Sequence, residues 1–186
     1  MSRLSPVLTA SDLPLAELYA ARLDGELVRL GECFTPIDQP HDRYTRAASI
    51  ARELPDRLIA ERLSAAWIWG ALPYPPARHE LCASLGARAR ASNPRRVSVR
   101  EVAISPDEIV VIAGQRLTSP VRTLVDLARF STEIDAEVLR ALARVGAVTL
   151  GDCRAALDRR RNLPNKRRGW QRILESFGEQ ISSSRS

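Results

Sequence analysis

The sequence predicts an α+β fold, and three changes in its hydrophobic pattern support this class. Between residues 13 and 23, apolar side chains recur at helical spacing. From His79 to about residue 118 the period becomes two, with many β-branched residues, which is typical of short strands. After Ser119 the helical period returns. Because 45% of the residues are hydrophobic, the chain can bury a core, and a disordered protein is excluded.

The first forty residues predict a helix followed by a hairpin. In "LTASDLPLAELYAARLDGELVRLGECFTPID", Thr9 or Ser11 can cap a first turn, and Asp24-Gly25 ends the helix. Two short strands are expected around Gly31. A helix and then a hairpin form the back half of a winged helix-turn-helix. A complete one needs two more helices in front, where only about fourteen residues stand. We therefore predict a reduced winged-helix-like segment over residues 1–40.

Residues 41–178 are predicted to form an α+β domain on which this segment packs. "PHDRYTRAASIARELP" predicts a helix with Tyr44, Ala47, Ala48 and Ile50 facing inward. "LIAERLSAAWIWG" predicts a second helix around residues 63–69. Its two tryptophans, at positions 67 and 69, cannot share one helix face. At least one of them is therefore expected to be partly exposed or to lie in an interface.

A small antiparallel sheet is predicted next, from the segments "HELCASL", "RVSVREVAI", "EIVVIA" and "GQRL". Several C-terminal helices follow, at residues 119–130, 134–145, 150–160 and 166–177. Residues 179–186 are predicted to be a disordered tail.

The pattern of apolar runs and cysteines indicates a cytoplasmic protein. No apolar run approaches the about 18 residues that a membrane span needs, and the N-terminus does not resemble a signal peptide. Cys33, Cys82 and Cys153 are odd in number and widely spaced, which fits neither a disulfide framework nor a metal pair. We expect them to be buried reduced thiols.

Motifs of familiar enzymes are absent, so a protein without catalytic residues, cofactor or metal is expected. A restriction-type nuclease core needs a carboxylate two residues before a lysine, but Pro164 stands at that spacing before Lys166. No Asp-x-Asp pair is present to hold the magnesium of a nucleotidyltransferase, and no glycine-rich phosphate loop is found. His41 and His79 are isolated in the sequence.

The positive charge is concentrated near the C-terminus. Residues 151–172 hold eight basic and two acidic side chains, and this region is called the basic segment below. Three interpretations remain open: a footprint on a phosphate backbone, a solvated surface of an arginine-rich protein, or a site for an acidic protein partner. The residues predicted to bind nucleic acid or a partner are Arg159, Arg160, Arg161, Lys166, Arg167 and Arg168, which flank a short turn.

"LTSPVRTLVDLARF", residues 117–130, predicts a well-capped amphipathic helix. Ser119 can cap it, and Pro120 falls at the first helical position, where a missing N–H costs nothing. Arg122 and Asp126 are spaced for an ion pair, which stabilises weakly if exposed and strongly if half-buried. These four residues are predicted to form a structural motif rather than a catalytic site.

Two of these stretches also resemble a known family. "LSAAWIWG" (63–70), the strands after it, and "GQRLTSPVRTLVDLA" (114–128) resemble the actinobacterial form of the AbiEi antitoxin family. That family has a serine-alanine-alanine helix ending in glycine, a β region, and then G-x-x-V-T-S-P-x-R-T-L-x-D-L-A; Leu117 stands here for the usual valine. "ELYAARLDGELVRLGECFTPID" is similar to the helix and wing of family members. The resemblance covers about residues 9–172.

The resemblance implies a regulatory antitoxin of a toxin–antitoxin system. Such a protein counters a nucleotidyltransferase-type toxin and represses its own operon by DNA binding through the winged helix. The partners expected here are operator DNA and the toxin or the toxin's target. Here the helix and wing offer only Arg22 and Arg29, which are the two residues of this segment predicted to bind nucleic acid or a partner. Residues 1–60 hold seven basic and nine acidic side chains. DNA-binding modules gain affinity from several phosphate contacts, so DNA binding by this segment stays open. The alternatives are a nuclease-associated DNA-processing protein without its catalytic domain, and a protein-interaction module without DNA binding.

Overall fold

The computed structural model describes residues 6–52, 55, 57–87, 95–132, 135–160 and 163–183. The chain divides into two compact units. The N-terminal unit comprises Met1–Asp56 and Val111–Gln115, and the C-terminal unit comprises Arg57–Val110 and Arg116–Ser186. The boundary lies near residue 56 and not near residue 40 as predicted, because the helix that follows the hairpin clusters with the N-terminal unit.

The N-terminal unit contains the predicted helix and hairpin. Helix α1 (Leu15–Leu23) is followed by strands β1 (Leu27–Leu30) and β2 (Cys33–Pro36), which pair antiparallel. Its small core is formed by Leu18, Leu27 and Phe34, with Leu8 and Ala21 packed against it. Contrary to the prediction, no side chain of the described residues caps α1. Thr9 instead closes the preceding turn, where its backbone N–H donates to Asp12 Oδ2 at 2.8 Å.

Helix α2 (Arg43–Ala51) completes this unit. Asp42 caps it by accepting hydrogen bonds from the backbone N–H groups of Tyr44 and Thr45, each at 2.9 Å. Ala47 and Ile50 are buried as predicted. Tyr44 was expected to face inward, but it is 52% exposed. The cap starts the helix at a phase that turns Thr45, and not Tyr44, toward the buried face.

A five-stranded sheet, most of which belongs to the C-terminal unit, has the order β5-β4-β3-β7-β6. Its strands are β3 (Ile59–Ala60), β4 (His79–Ser84), β5 (Val97–Val102), β6 (Ile109–Ile112) and β7 (Gln115–Thr118), with a 3₁₀ turn at Pro106–Glu108. β3 pairs antiparallel with β4 but parallel with β7, and β4 pairs parallel with β5. The sheet is therefore mixed, which corrects the predicted antiparallel one.

Two features of the chain explain this difference. β3 has only two residues, too few to show an alternating pattern, yet it occupies the centre of the sheet. β4 and β5 begin at the same end of the sheet, with His79 opposite Val97 and Ser84 opposite Val102, so a tight hairpin does not connect them.

The described residues of the C-terminal unit form five helices: α3 (Arg62–Trp69), α4 (Pro120–Phe130), α5 (Ala136–Gly146), α6 (Leu150–Asp158) and α7 (Lys166–Ser183). Together with the two sheets, they confirm the predicted α+β class. α4 contacts each of the other four helices. Because it is surrounded in this way, residues 122–129 of α4 are all buried.

Helix α3 is buried on all sides. It packs against β4, α4 and α5, so Trp67 and Trp69 are only 1% and 8% exposed. The prediction was that at least one tryptophan would be partly exposed or lie in an interface. Neither is partly exposed, because a helix enclosed on all sides buries opposite faces alike. Trp69 Nε1 donates to the carbonyl oxygen of Thr118 at 3.0 Å, which satisfies its polar atom.

Helix α7 extends to Ser183, beyond the predicted end near residue 177. The predicted tail at residues 179–186 therefore begins inside the helix, and residues 184–186 lie outside the described part of the chain. No glycine or proline follows Gly178 to stop the helix. Among the described residues, no helix is both long and apolar enough to cross a bilayer.

The three cysteines are free and buried, as predicted. Burial raises the pKa of Cys153 to about 12 and also raises the pKa of Cys82. Both thiols therefore stay protonated near neutral pH and are poor nucleophiles.

Candidate nucleic-acid interface

Helix α4 begins as the sequence predicts. Ser119 Oγ accepts a hydrogen bond from the backbone N–H of Arg122 at 3.4 Å, and Pro120 occupies the first helical position. Thr123 Oγ1 lies 2.7 Å from Thr118 Oγ1, which ties the helix to the end of β7. Leu124 is completely buried on the apolar stripe. The polar residues of this motif therefore fix the junction between β7 and α4.

Arg122 and Asp126 form a buried ion pair. Their exposed fractions are 7% and 1%. Asp126 Oδ2 accepts from Arg122 Nε at 2.7 Å, and its Oδ1 accepts from Arg129 Nη1 at 3.0 Å. The question left open by the sequence is thus answered: the pair is buried, and Asp126 binds two arginines of its own helix.

The pKa values of the two arginines reflect this environment. Burial alone would lower the pKa of Arg122, but the charges of Asp126 and Glu108 and their hydrogen bonds outweigh burial and raise it. For Arg129, burial together with repulsion from neighbouring arginines outweighs the attraction of Asp126, and its pKa is lowered. Both guanidinium groups remain charged at any physiological pH.

Residues from three other elements extend this pair into a larger cluster. Arg100 on β5 donates Nε and Nη2 to the two carboxylate oxygens of Glu61 at 2.5 and 2.6 Å. Its Nη2 also lies 3.6 Å from Asp126 Oδ2. Arg122 Nη1 donates to Glu108 Oε2, in the 3₁₀ turn, at 2.8 Å. The ion cluster is defined here as Glu61, Arg100, Glu108, Arg122, Asp126 and Arg129.

Phe130 lies beside the ion cluster and contacts three guanidinium groups. The Cζ atoms of Arg129, Arg62 and Arg100 lie 4.4, 4.9 and 5.2 Å from its ring centroid. Arg62 Nε is buried and has no hydrogen-bond partner among the described residues. Its cation–π contact with Phe130 and the ion pair of its Nη1 with Glu80, at 3.3 Å, are the interactions that hold this guanidinium.

The ion cluster is suited to holding elements together rather than to reacting with a substrate. Each of its carboxylates already accepts hydrogen bonds from at least one guanidinium, and Glu61 and Asp126 are 2% and 1% exposed. His79, isolated in the sequence, places Nδ1 3.0 Å from Ser64 Oγ. However, Ser64 is completely buried, so this hydroxyl is closed to a substrate. In the described part of the chain, no group of three metal-ligating side chains is found.

Gly169, in the first turn of α7, is packed against the ion cluster. A Cβ atom there would lie 2.5 Å from Arg129 Cγ, whereas one at Gly178 would have nothing within 4 Å. We expect Gly169→Ala to lower the free energy of unfolding by about 1–3 kcal/mol, since Arg129 must move away from Asp126. Gly178→Ala, in the same helix, should instead leave stability unchanged or raise it. Urea denaturation of both variants checks this, and an equal response would contradict it.

The basic segment spans the end of α6 and the start of α7, where acidic neighbours engage several of its side chains. Arg159 Nη1 lies 2.9 Å from Asp107 Oδ2, and both side chains are more than half exposed. Arg160 Nη2 lies 2.6 Å from Glu108 Oε2 and is about one-third exposed. Lys166 Nζ lies 2.8 Å from Asp158 Oδ1. Arg161 lies outside the described residues.

Two further arginines of the basic segment cap the C-terminal end of α4. Arg172 donates to the carbonyl oxygens of Ser131 and Thr132 at 2.5 and 2.9 Å, and Arg168 donates to the same two at 3.4 and 3.3 Å. Helix ends leave such carbonyl groups unpaired and carry a partial negative charge. The side chain of Arg167 is exposed and forms no hydrogen bond or ion pair with any residue that the structure describes.

The other two predicted binding residues belong to the N-terminal unit. Arg22 lies exposed in the last turn of α1. Arg29, on β1, forms an ion pair with Glu32 at 3.0 Å, and both side chains are less than half exposed. Glu17, Asp24 and Glu26 are exposed nearby in the sequence. The helix and wing therefore present little free positive charge.

Sequence reasoning missed Glu61, Arg100 and Glu108. Glu61 follows an apolar strand and directly precedes a buried helix, where a charged side chain needs a partner. This position in the sequence could have indicated that Glu61 is buried and paired. Arg100 and Glu108 fit the exposed positions of ordinary strand and turn patterns, and nothing in their spacing connects them to α4.

The fold and these contacts define an α+β protein of two units, with a buried ion cluster and a basic helix pair in the C-terminal unit. No family model matches the chain, and no curated protein matches it. A similar solved structure is that of the Rv2827c protein from Mycobacterium tuberculosis. It is 19% identical, with a TM-score of 0.49, over 92% of this chain and 72% of that chain.

Proposed function

We propose that this chain is an antitoxin-like, non-enzymatic regulatory protein that acts in the cytoplasm by stoichiometric binding. It counters a nucleotidyltransferase-type toxin and represses its own operon by binding DNA. The toxin half of the proposal rests on the resemblance of residues 63–70 and 114–128 to the AbiEi family. The DNA half rests on one observation, the exposed positive charge of the basic segment.

We assign DNA contact to the basic segment rather than to the winged-helix-like hairpin. Proteins gain most of their non-specific DNA affinity by neutralising phosphates with arginine and lysine. Arg167 is exposed without a partner among the described residues, and Arg159 is 57% exposed in a surface ion pair. Arg160, Arg168 and Arg172 are less available, because they hold Glu108 and the end of α4.

The ion cluster supports the non-enzymatic half of the proposal. Its carboxylates are buried and engaged by arginines, so their geometry fits the role of joining β3, β5, the 3₁₀ turn and α4. The family motif at residues 114–128 then maintains the shape of the unit that carries the basic segment. Binding of the toxin and of DNA falls to exposed surfaces.

The DNA half is tested with a gel shift or fluorescence polarisation on a duplex from the upstream promoter and on a scrambled duplex. We expect Arg159→Gln and Arg167→Gln each to weaken binding to both duplexes several-fold. Each should also reduce the slope of log affinity against log salt by about one, because one phosphate contact is lost. Arg144→Gln, an exposed arginine on α5, removes the same charge and should have little effect.

No binding of either duplex at low salt would overturn the DNA half of the proposal. The toxin half is tested separately, by co-expressing the chain with a nucleotidyltransferase encoded beside it and measuring growth. A second function, a protein-interaction module without DNA binding, is favoured by the internal pairing of Arg159, Arg160 and Lys166. Growth rescue without a DNA shift would establish that function instead.

A further inference from the structure

We propose that Asp107 is a built-in competitor of DNA phosphate: its carboxylate occupies the guanidinium of Arg159, and DNA must displace it. The inference rests on the proposed DNA binding by the basic segment. It adds Asp107, which lies outside that segment and 52 positions before Arg159, as a residue that limits the affinity for DNA.

The backbone of Asp107 is held in place by its neighbours. Ser105 and Glu108 close a capping box around the 3₁₀ turn: the backbone N–H of Ser105 donates to Glu108 Oε2 at 3.1 Å. The same Glu108 oxygen accepts from Arg122 Nη1 at 2.8 Å and from Arg160 Nη2 at 2.6 Å. The turn is therefore fixed to both α4 and the end of α6. Because of this, the Asp107 carboxylate stays opposite Arg159.

The ion pairs Arg159–Asp107 and Arg160–Glu108 differ in how easily the arginine can exchange its carboxylate partner for a phosphate. Asp107 and Arg159 are 60% and 57% exposed, whereas Glu108 is only 13% exposed beside Arg160. Exposed pairs contribute little to stability, but opening a buried one leaves an unpaired charge. Arg159 can therefore release its partner for a phosphate, while Arg160 remains on Glu108.

The Asp107 carboxylate and a DNA phosphate are chemically similar acceptors for Arg159. Carboxylate and phosphate oxygens both accept charge-assisted hydrogen bonds from a guanidinium. Hydrogen bonds from Ser105 and Arg159 lower the pKa of Asp107, so it is ionised at neutral pH and competes fully there. Removing its charge should leave Arg159 free to contact DNA without prior exchange.

The test uses the full chain and fluorescence polarisation on the promoter duplex at low salt. We expect Asp107→Asn to bind about two- to five-fold more tightly than the wild type, the size expected for loss of one exposed pair. Asparagine keeps the hydrogen-bonding capacity toward Ser105, and equal melting temperatures confirm that the turn is intact. Glu101→Gln is the matched control, because it removes one exposed charge from β5 without touching Arg159.

A double variant tests whether the effect of Asp107 acts through Arg159. In an Arg159→Gln background, Asp107→Asn should no longer tighten binding. Three results would overturn the inference while leaving the proposed function intact: no gain from Asp107→Asn, an equal gain from Glu101→Gln, or a gain that persists without Arg159. Binding by Asp107→Asn alone, with none by the wild type, would support it. No binding by either protein would overturn both proposals.

Discussion

Replacing Asp126 with alanine is expected to lower the free energy of unfolding by about 3–5 kcal/mol. The carboxylate is 1% exposed and binds Arg122 and Arg129, which are themselves only 7% and 2% exposed. Its removal leaves two buried guanidinium groups facing each other without their shared acceptor. Urea denaturation, followed by tryptophan fluorescence, measures the loss.

A surface ion pair provides the control for this prediction. Glu137 pairs with Arg140 at 2.9 Å on α5, where it is 53% exposed. Glu137→Ala should cost far less stability than Asp126→Ala, because water replaces the lost contacts. If the two variants lose the same stability, the buried cluster does not stabilise the C-terminal unit as described. Arg122→Ala should resemble Asp126→Ala in its loss of stability.

The ion cluster shows which contacts the sequence could predict. The pairing of Arg122 with Asp126 follows from their spacing on one helix, and Ser119 and Pro120 mark where that helix begins. Arg100 reaches Asp126 and Glu61 reaches Arg100 only because the sheet places β3 and β5 on either side of β4. Spacing within a segment carries no information about such long-range neighbours. The burial of the Arg122–Asp126 pair could therefore not be predicted from the sequence.

The sheet was predicted in its strands but not in its topology. β4 to β7 show the alternation expected of strands, and all four occur near their predicted positions. The relative directions of β4 and β7 depend on β3, which lies between them and has only two residues, too few for a periodic signal. A parallel neighbour is determined by how a connection returns, which a local pattern cannot record.

The basic segment was recognised from its charge, but charge alone does not tell which side chains are available. Arg168 and Arg172 donate to carbonyl groups at the end of α4, and Arg160 pairs with Glu108, which is only 13% exposed. These assignments depend on where α4 and the 3₁₀ turn end in space. Among the described side chains of the basic segment, Arg159 and Arg167 are therefore the two most available for the proposed DNA contact.

The second large effect is expected at Trp67, in the middle of α3. We expect Trp67→Ala to lower the free energy of unfolding by about 3–5 kcal/mol, because it removes a large side chain that is 1% exposed and leaves a cavity. Urea denaturation followed by far-UV circular dichroism checks this without depending on the lost fluorophore.

Trp69→Phe supplies the comparison on the same helix. It loses the hydrogen bond from Nε1 to the carbonyl oxygen of Thr118, which still accepts from Thr123 Oγ1 at 3.1 Å. The expected cost is therefore smaller, about 1 kcal/mol. A Trp67→Ala variant as stable as the wild type would mean that α3 opens toward solvent and is free to bind a partner. The predicted large loss instead requires that partners bind elsewhere, since a helix packed on all sides has no face left to offer.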